Sequence, residues 1–249
     1  MIGYERLVVN KETPVPLYYQ LKLKVLEMID SGTLQIGDML PPESELCEHL
    51  GVSRVTVRQA FSELVAEGRL TRQKGKGTFI SRPKIDVRFL QKLESFNEQM
   101  RQKGLTPLTK VLSFGRIPGV RRINDTLMQE PESLLISLIR MRYGDGEPVA
   151  SVDTYLPYAR FQNILDQDFT RESLYDRLEA LCGARVCRVH REIEATNANR
   201  REAELLGIET GHAICLVKTV GYTEADLPVE YSVARYRGDR SKFSVDLYR

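Results

Sequence analysis

A chain of 249 residues with 36 Lys and Arg against 34 Asp and Glu, 42% hydrophobic residues, no Trp and only 3 His has the composition of an ordinary folded protein, which excludes extensive disorder. The length accommodates one large domain or two modest ones, each able to bury a core. The longest apolar stretch, Leu134 to Ile139, is interrupted by Ser137, and the opening Met1-Ile2-Gly3-Tyr4-Glu5-Arg6 carries no apolar signal region, so no membrane span and a cytoplasmic location are expected. The cysteines Cys47, Cys182, Cys187 and Cys215 form no CxxC pair and read as small core or surface thiols.

The net charge of +2 hides an asymmetry. Residues 54 to 84 hold eight basic side chains (Arg54, Arg58, Arg69, Arg72, Lys74, Lys76, Arg82, Lys84) against Glu63 and Glu67, an excess of +6, whereas residues 85 to 249 balance at 24 of each sign. A local excess of that size attracts polyanions, although a solvated basic face has the same composition.

In chain order, Tyr18, Leu21, Val25, Met28 and Ile29 fall at helical spacing and stop at Gly32. Leu40-Pro41-Pro42 breaks the chain, and Glu43 to Leu50 makes a short second helix that Gly51 can end in the left-handed conformation. Ser53 stands at an N-cap position ahead of a third helix with Val57, Ala60, Phe61, Leu64 and Val65 on one face and Gly68 as stop. Two helices joined by a glycine-containing turn form a helix-turn-helix. With the apolar face turned inward, Arg54 and Arg58 share the exposed first turns with Thr56 and Gln59. The planar fork of arginine matches the O6 and N7 acceptors of guanine in the major groove, and the helix N-terminus favours a nearby phosphate. Leu70 to Gln73, the tip Lys74-Gly75-Lys76-Gly77 and Thr78-Phe79-Ile80 then read as a β-hairpin whose glycines permit close approach to a phosphate backbone while its lysines supply charge. Gly75-x-Gly77 alone is a weak nucleotide-loop signal, and no Walker-type sequence is present. A helix-turn-helix followed at once by a basic wing points to double-stranded DNA.

These residues carry a resemblance. Pro16-Leu17-Tyr18-Tyr19-Gln20, Leu40-Pro41-Pro42-Glu43-Ser44-Glu45-Leu46, Gly51-Val52-Ser53-Arg54-Val55-Thr56-Val57-Arg58 and Gly75-Lys76-Gly77-Thr78-Phe79-Ile80 resemble the winged-helix domain of the GntR family of bacterial transcription regulators. The resemblance implies operator contacts from Arg54, Thr56 and Arg58 and entry of the wing-tip Gly77 into the minor groove; the candidate DNA-binding set is Ser53, Arg54, Thr56, Arg58, Gln59, Lys74, Lys76 and Gly77. Ser44 stands where some members place a DNA-contacting arginine.

Ser81-Arg82-Pro83-Lys84 reads as the start of a linker, which divides the chain into a reader at 1–80, a linker at 81–91 and a second domain at 92–249. Leu90, Leu93, Phe96 and Met100 suggest a helix ending at Gly104. Two hairpins are explicit, with Gly144-Asp145-Gly146 between strands near 134–143 and 148–156, and Thr223 to Leu227 between strands near 213–222 and 228–237. They imply a largely antiparallel sheet, so the expected class is α+β. Leu134, Ile136, Leu138, Arg140 and Arg142 share one strand face that is apolar and then ends in two guanidinium groups. Such a pair suits a phosphate or carboxylate; equally, the strand could run out of the core into solvent there. On another strand, Glu230, Ser232, Ala234 and Tyr236 align acceptors and hydroxyls. Ser173 and Tyr175 read either as ligand groups or as an N-cap and a core aromatic.

Leu138-Ile139-Arg140-Met141-Arg142, Asp145-Gly146-Glu147-Pro148-Val149-Ala150, Tyr155-Leu156-Pro157, Ser173-Leu174-Tyr175, Leu206-Gly207, Pro228-Val229-Glu230-Tyr231-Ser232 and Arg237-Gly238-Asp239-Arg240 resemble the UTRA effector domain, whose fold is similar to that of chorismate lyase. The resemblance implies the HutC-type branch and a small anionic effector, a sugar phosphate or a carboxylate. The expected function is that of a homodimeric transcription factor, a repressor, on an inverted-repeat operator, since two recognition helices related by a two-fold axis require the same symmetry in the DNA. The resemblance assigns the phosphate to Arg140 and Arg142, sugar contacts to Ser173, Tyr175, Glu230 and Tyr236, and closure over the site to Phe96 and Asn97. Asp153 occupies a position that is often glutamate in the sugar sensors. A lyase-like enzyme is the competing class, with Asp153 and Glu230 as an acid/base pair. No nucleophile motif or metal-ligand spacing accompanies that pair, and no cofactor or metal site is expected; Cys182, Cys187 and His190 match no usual zinc pattern.

Overall fold

A computed structural model describes residues 7–73, 75–82, 84–86 and 93–247. The chain divides into two compact units between Lys84 and Ile85.

In the first unit, α1 (Leu17–Asp30) and α2 (Glu43–Leu50) each follow a proline, Pro16 and Pro42, whose fixed φ sets the entry into the helix. Gly51 closes α2 at φ 58°, a left-handed conformation that a side chain would strain. Ser53 then caps α3 (Arg54–Ala66), its Oγ accepting the Thr56 N–H at 3.2 Å. Leu21, Val25 and Met28 of α1, Leu46 of α2 and Val57, Phe61 and Leu64 of α3 are buried in one core. Each such side chain contributes about 1.5–3 kcal/mol relative to exposure. Lys22 of α1 reaches Glu63 at 2.9 Å and Glu67 at 2.5 Å, tying α1 to α3. The wing strands β2 (Leu70–Gln73) and β3 (Gly77–Ile80) pair antiparallel as expected. A third strand, β1 (Met39–Leu40), joins the outer side of β3 just before the Pro41-Pro42 break, giving the order β1-β3-β2.

In the second unit, Ile85 and Asp86, which the sequence places in the linker, form β4 and pair in parallel with β11 (Ser241–Lys242). Leu90 lies outside the described residues, and the helix expected around it is observed as α4 (Phe96–Gln102), closed at its start by a Ser95/Glu98 capping box. One six-stranded sheet, antiparallel throughout, has the order β5-β6-β7-β10-β9-β8. Its strands are β5 (Pro107–Ile117), β6 (Leu135–Gly144), β7 (Glu147–Pro157), β8 (Arg188–Asn197), β9 (Ala213–Tyr222) and β10 (Pro228–Arg237). Both expected hairpins are present; Asp145 and Gly146 turn at φ 51° and 80°, the two-residue type that matches strand twist. Ile136, Leu138 and Leu156 of one sheet face are buried against Phe161, Phe169 and α7 (Leu174–Cys182). On the opposite face Met141 and Ile214 pack with Ala203 and Leu206 of α8 (Arg200–Leu206), while α5 (Arg121–Thr126) and α6 (Tyr158–Phe161) complete the helices. The molecule is α+β, a winged helix and an antiparallel-sheet domain.

Candidate effector pocket and nucleic-acid interface

On the first unit, α3 presents Arg54, Arg58 and Gln59 to solvent beside the half-buried Thr56. Ser53 and Thr56 also share a hydroxyl hydrogen bond of 2.9 Å, so Ser53 acts here as the cap that fixes where the helix begins. Val55, missed in the sequence, is 73% exposed between the two arginines. The signal was there: an apolar residue out of phase with Val57, Phe61 and Leu64 has no core to enter. In the wing, Lys76 is exposed and Gly77 sits at φ 128°, where a Cβ would approach Met39 Sδ to 3.2 Å. Lys74 lies outside the described residues. Not all of the local positive charge is on offer to a ligand. Arg72 pairs with Glu43 at 3.0 Å, pinning the wing to α2, and Arg69 lies 3.8 Å from Asp30.

On the second unit, a cavity of about 200 Å³ opens on the sheet face between the start of α4 and the start of α7. The strand registers explain which side chains meet there. Leu138 of β6 is opposite Thr154 of β7, which is opposite Ser232 of β10, Thr219 of β9 and Arg191 of β8 in turn. The next row runs Arg140, Val152, Ala234, Val217, and Arg142 lies one step beyond. Residues directly opposite across a sheet share a face, so these rows form the floor of the pocket.

Arg140 is 4% exposed. Its Nη2 donates to Thr154 Oγ1 at 3.3 Å, while Nε and Nη1 are buried and meet no hydrogen-bond partner among the described residues. Burial lowers its pKa to about 10, against an opposing attraction from Glu230, so it remains a cation at neutral pH. Arg142 donates to Thr109 Oγ1 at 2.6 Å and lies 5.2 Å from the centre of the Phe96 ring. Burial, reinforced by the like charge of Arg140, pushes its pKa down as well. Two adjacent desolvated guanidiniums are an arrangement that costs free energy until an anion arrives. The alternative in which the strand simply runs into solvent is therefore overturned at Arg140.

Tyr175 of α7 donates its hydroxyl to Glu230 Oε1 at 2.5 Å. Burial raises the pKa of Glu230, and burial with the neighbouring Glu230 charge raises that of Tyr175. Tyr236 is held up to about 12, also by burial. Ser173 caps α7, accepting the Asp176 N–H at 3.5 Å, and borders the cavity from that position; Phe96 and Asn97 border it from α4. The structure thus brings Phe96, Asn97, Arg140, Arg142, Ser173, Tyr175, Glu230 and Tyr236 to one cavity.

Asp153 is the exception and a correction. It points to the opposite sheet face, where Arg235 Nη1 donates to its Oδ2 at 2.9 Å, while its neighbours Val152 and Thr154 line the cavity. The reason is a bulge. Near the turn Gly144 faces Glu147 and Tyr143 faces Pro148, but Arg142 faces Ala150, so Val149 is an extra residue that shifts the register by one. A bulge-free hairpin would put Asp153 opposite Leu138 on the cavity face; the shift turns it away. Conversely, Arg191 was missed. It borders the cavity from the edge strand β8, and nothing local in the sequence states that β8 belongs beside β9. Among the described residues no group of three or more His, Cys, Asp or Glu side chains is placed to hold a metal ion, and no helix is long and apolar enough to cross a membrane.

A winged helix with an exposed basic reading face on one unit, and an arginine-lined cavity of metabolite size on the other, define a DNA-binding regulator that responds to a small molecule. The chain belongs to the GntR family of bacterial regulatory proteins, whose model matches residues 17–80, and it carries a UTRA domain, matched at residues 102–242. It is 35% identical over 235 residues to the HTH-type transcriptional repressor NagR of Bacillus subtilis, covering 94% of this chain and 96% of that protein. It is 31% identical to the mannosyl-D-glycerate transport/metabolism system repressor MngR of Escherichia coli, covering 92% and 95%. Among solved structures, PhnF from Mycobacterium smegmatis superposes with a TM-score of 0.70 at 28% identity, covering 91% of this chain and 98% of that one. The relatives are regulators, and this decides against the lyase-like alternative: the protein is a transcriptional regulator, not an enzyme.

Proposed function

We propose that the protein is a homodimeric repressor, working in the cytoplasm on an inverted-repeat operator, whose grip on DNA is set by a phosphorylated sugar bound at Arg140 and Arg142. The observation that carries the effector half is Arg140: a cationic side chain, 4% exposed, with two buried donors that no described residue satisfies. Such a group is retained when a ligand supplies the missing charge and acceptors. Phosphate oxygens suit two adjacent forks, while the Tyr175–Glu230 pair, Ser173, Tyr236 and the Ser232 hydroxyl match the hydroxyl groups of a sugar. Phe96, 5.2 Å from Arg142, and Asn97 form the cover. The name of one relative, a repressor of a mannosyl-D-glycerate system, supports a sugar-linked metabolite. For the DNA half, Arg54 and Arg58 read guanine edges, Val55 meets a thymine methyl group, and Lys76 and Gly77 of the wing follow the backbone into the minor groove. A two-fold protein reads a two-fold site, which is why an inverted repeat is expected.

The test is thermal denaturation of the wild type and Arg140→Gln against sugar phosphates and their unphosphorylated forms. A ligand at a hundredfold excess over its Kd stabilises the folded state by about 2.7 kcal/mol. The wild type is expected to shift with a phosphorylated sugar only, and Arg140→Gln with neither. A response retained by Arg140→Gln overturns the phosphate assignment.

A further inference from the structure

We propose that Thr154 is a specificity-determining residue of the effector site: its hydroxyl donates to a third oxygen of the bound anion, so that the seat of Arg140 and Arg142 takes a tetrahedral phosphate monoester in preference to a planar carboxylate. The inference rests on the reading of the two arginines as an anion seat and adds what makes that seat choose between the two anions.

Proton directions decide what Thr154 can do. Arg140 Nη2 donates to Thr154 Oγ1 at 3.3 Å, and arginine has no lone pair with which to take a proton in return. The threonine oxygen is therefore the acceptor in that bond, and its own O–H points elsewhere. No acceptor among the described residues receives it. Thr154 is buried and borders the cavity, so the direction left to the proton is toward a ligand. Arg142 ends in the same way on Thr109 Oγ1, at 2.6 Å, but of the two threonines only Thr154 borders the cavity. Its strand, β7, is next to β6, and Thr154 lies two residues along from Val152, the partner of Arg140 across the strands. Hydroxyl and guanidinium thus approach an anion from neighbouring strands. The hydroxyls of Ser232 and Thr219 continue the same row one and two strands further out, in steps of about 4.8 Å.

The shape of the anion then matters. A carboxylate presents two oxygens in one plane, and planar guanidiniums match it without help. A phosphate monoester presents three terminal oxygens at the corners of a tetrahedron, and the third leaves the plane that the first two share with a guanidinium. That oxygen needs a donor of its own. A neutral hydroxyl supplies one without bringing a further charge into a site where Arg140 and Arg142 already repel each other. Because Arg140 donates to it, the Thr154 hydroxyl is also polarised toward giving its proton away. Glu230, the carboxylate of the floor, is occupied with the Tyr175 hydroxyl at 2.5 Å.

The test is thermal denaturation of the full chain with inorganic phosphate, sulfate and acetate at constant ionic strength, with Arg140→Gln as the reference for binding elsewhere. The stabilisation that depends on Arg140 gives a Kd for each anion by mass action. The wild type is expected to bind the tetrahedral phosphate and sulfate about tenfold or more tightly than acetate. Thr154→Val keeps the branched shape of the side chain and lacks the hydroxyl. It is expected to lose about tenfold for phosphate and sulfate while acetate stays within about twofold, whereas Thr154→Ser keeps the wild-type order. A residue that merely held Arg140 in place would weaken all three anions alike. A tetrahedral preference undiminished in Thr154→Val, equal losses for all three anions, or acetate bound as tightly as phosphate by the wild type overturns the inference. The seat fails separately. Equal stabilisation of wild type and Arg140→Gln by every anion removes the seat and the inference with it, whereas stabilisation that Arg140→Gln loses keeps the seat whatever Thr154→Val does. Thr154→Cys, whose thiol donates only weakly, gives the same reading should Thr154→Val not fold.

Discussion

Arg140 carries opposite consequences for stability and for function. Its Nε and Nη1 are buried without partners among the described residues, and each unsatisfied buried donor costs about 1–3 kcal/mol. Without ligand, Arg140→Met, similar in length and free of polar atoms, is therefore expected to be as stable as the wild type or more so, by about 1–3 kcal/mol in urea unfolding. The same substitution is expected to remove the stabilisation by phosphorylated ligands. A variant clearly less stable than the wild type in the absence of ligand would mean that Arg140 is already satisfied, and the argument for a missing anion would lose its basis.

On the proposed reading, the recognition helix and the wing divide the work of binding DNA, and they do so by different physics. Arg54→Ala on α3 is expected to cost about 1–3 kcal/mol on the operator and to relax sequence preference, because it removes a base-edge contact. Lys76→Ala in the wing is expected to weaken binding to operator and unrelated DNA alike and to reduce the slope of log affinity against log salt by roughly one. Fluorescence anisotropy on specific and scrambled duplexes across a salt series checks both; equal losses on both duplexes for Arg54→Ala would remove it from the reading face. These elements were legible in the sequence because their signals are local: Pro42, Gly51 and Ser53 set the ends of α2 and α3 within a few residues of where they act. Asp145-Gly146 likewise announces its own hairpin. What the sequence did not show is pairing at a distance. The two-residue strand β1 exists only because β3 lies beside it, and Arg191 reaches the pocket only because β8 adds to β9. Asp153 was misplaced for a subtler reason, since one extra residue at Val149 decides the face of every side chain that follows on β7.

Linking a pocket on one unit to a reading face on the other requires a route along the chain, and the second unit supplies one. Tyr236 borders the cavity and packs edge-on to Phe243, ring centres 5.4 Å apart. Phe243 follows β11, which pairs with β4, and β4 begins one residue after Lys84, the last residue of the first unit. A ligand that moves Tyr236 therefore acts on the strand from which the DNA-reading unit departs. Coupling by this route is reciprocal: the factor by which effector changes operator affinity must equal the factor by which operator changes effector affinity, commonly about 5- to 150-fold. Phe243→Ala is expected to reduce both factors together while effector affinity in the absence of DNA stays within a few-fold. Titrations of effector with and without operator, and of operator with and without effector, measure all four constants. A Phe243→Ala protein with undiminished coupling would show that the signal leaves the pocket elsewhere, the packing of Ile85 of β4 in one cluster with Val152, Val217 and Ala234 of the floor being the direct alternative.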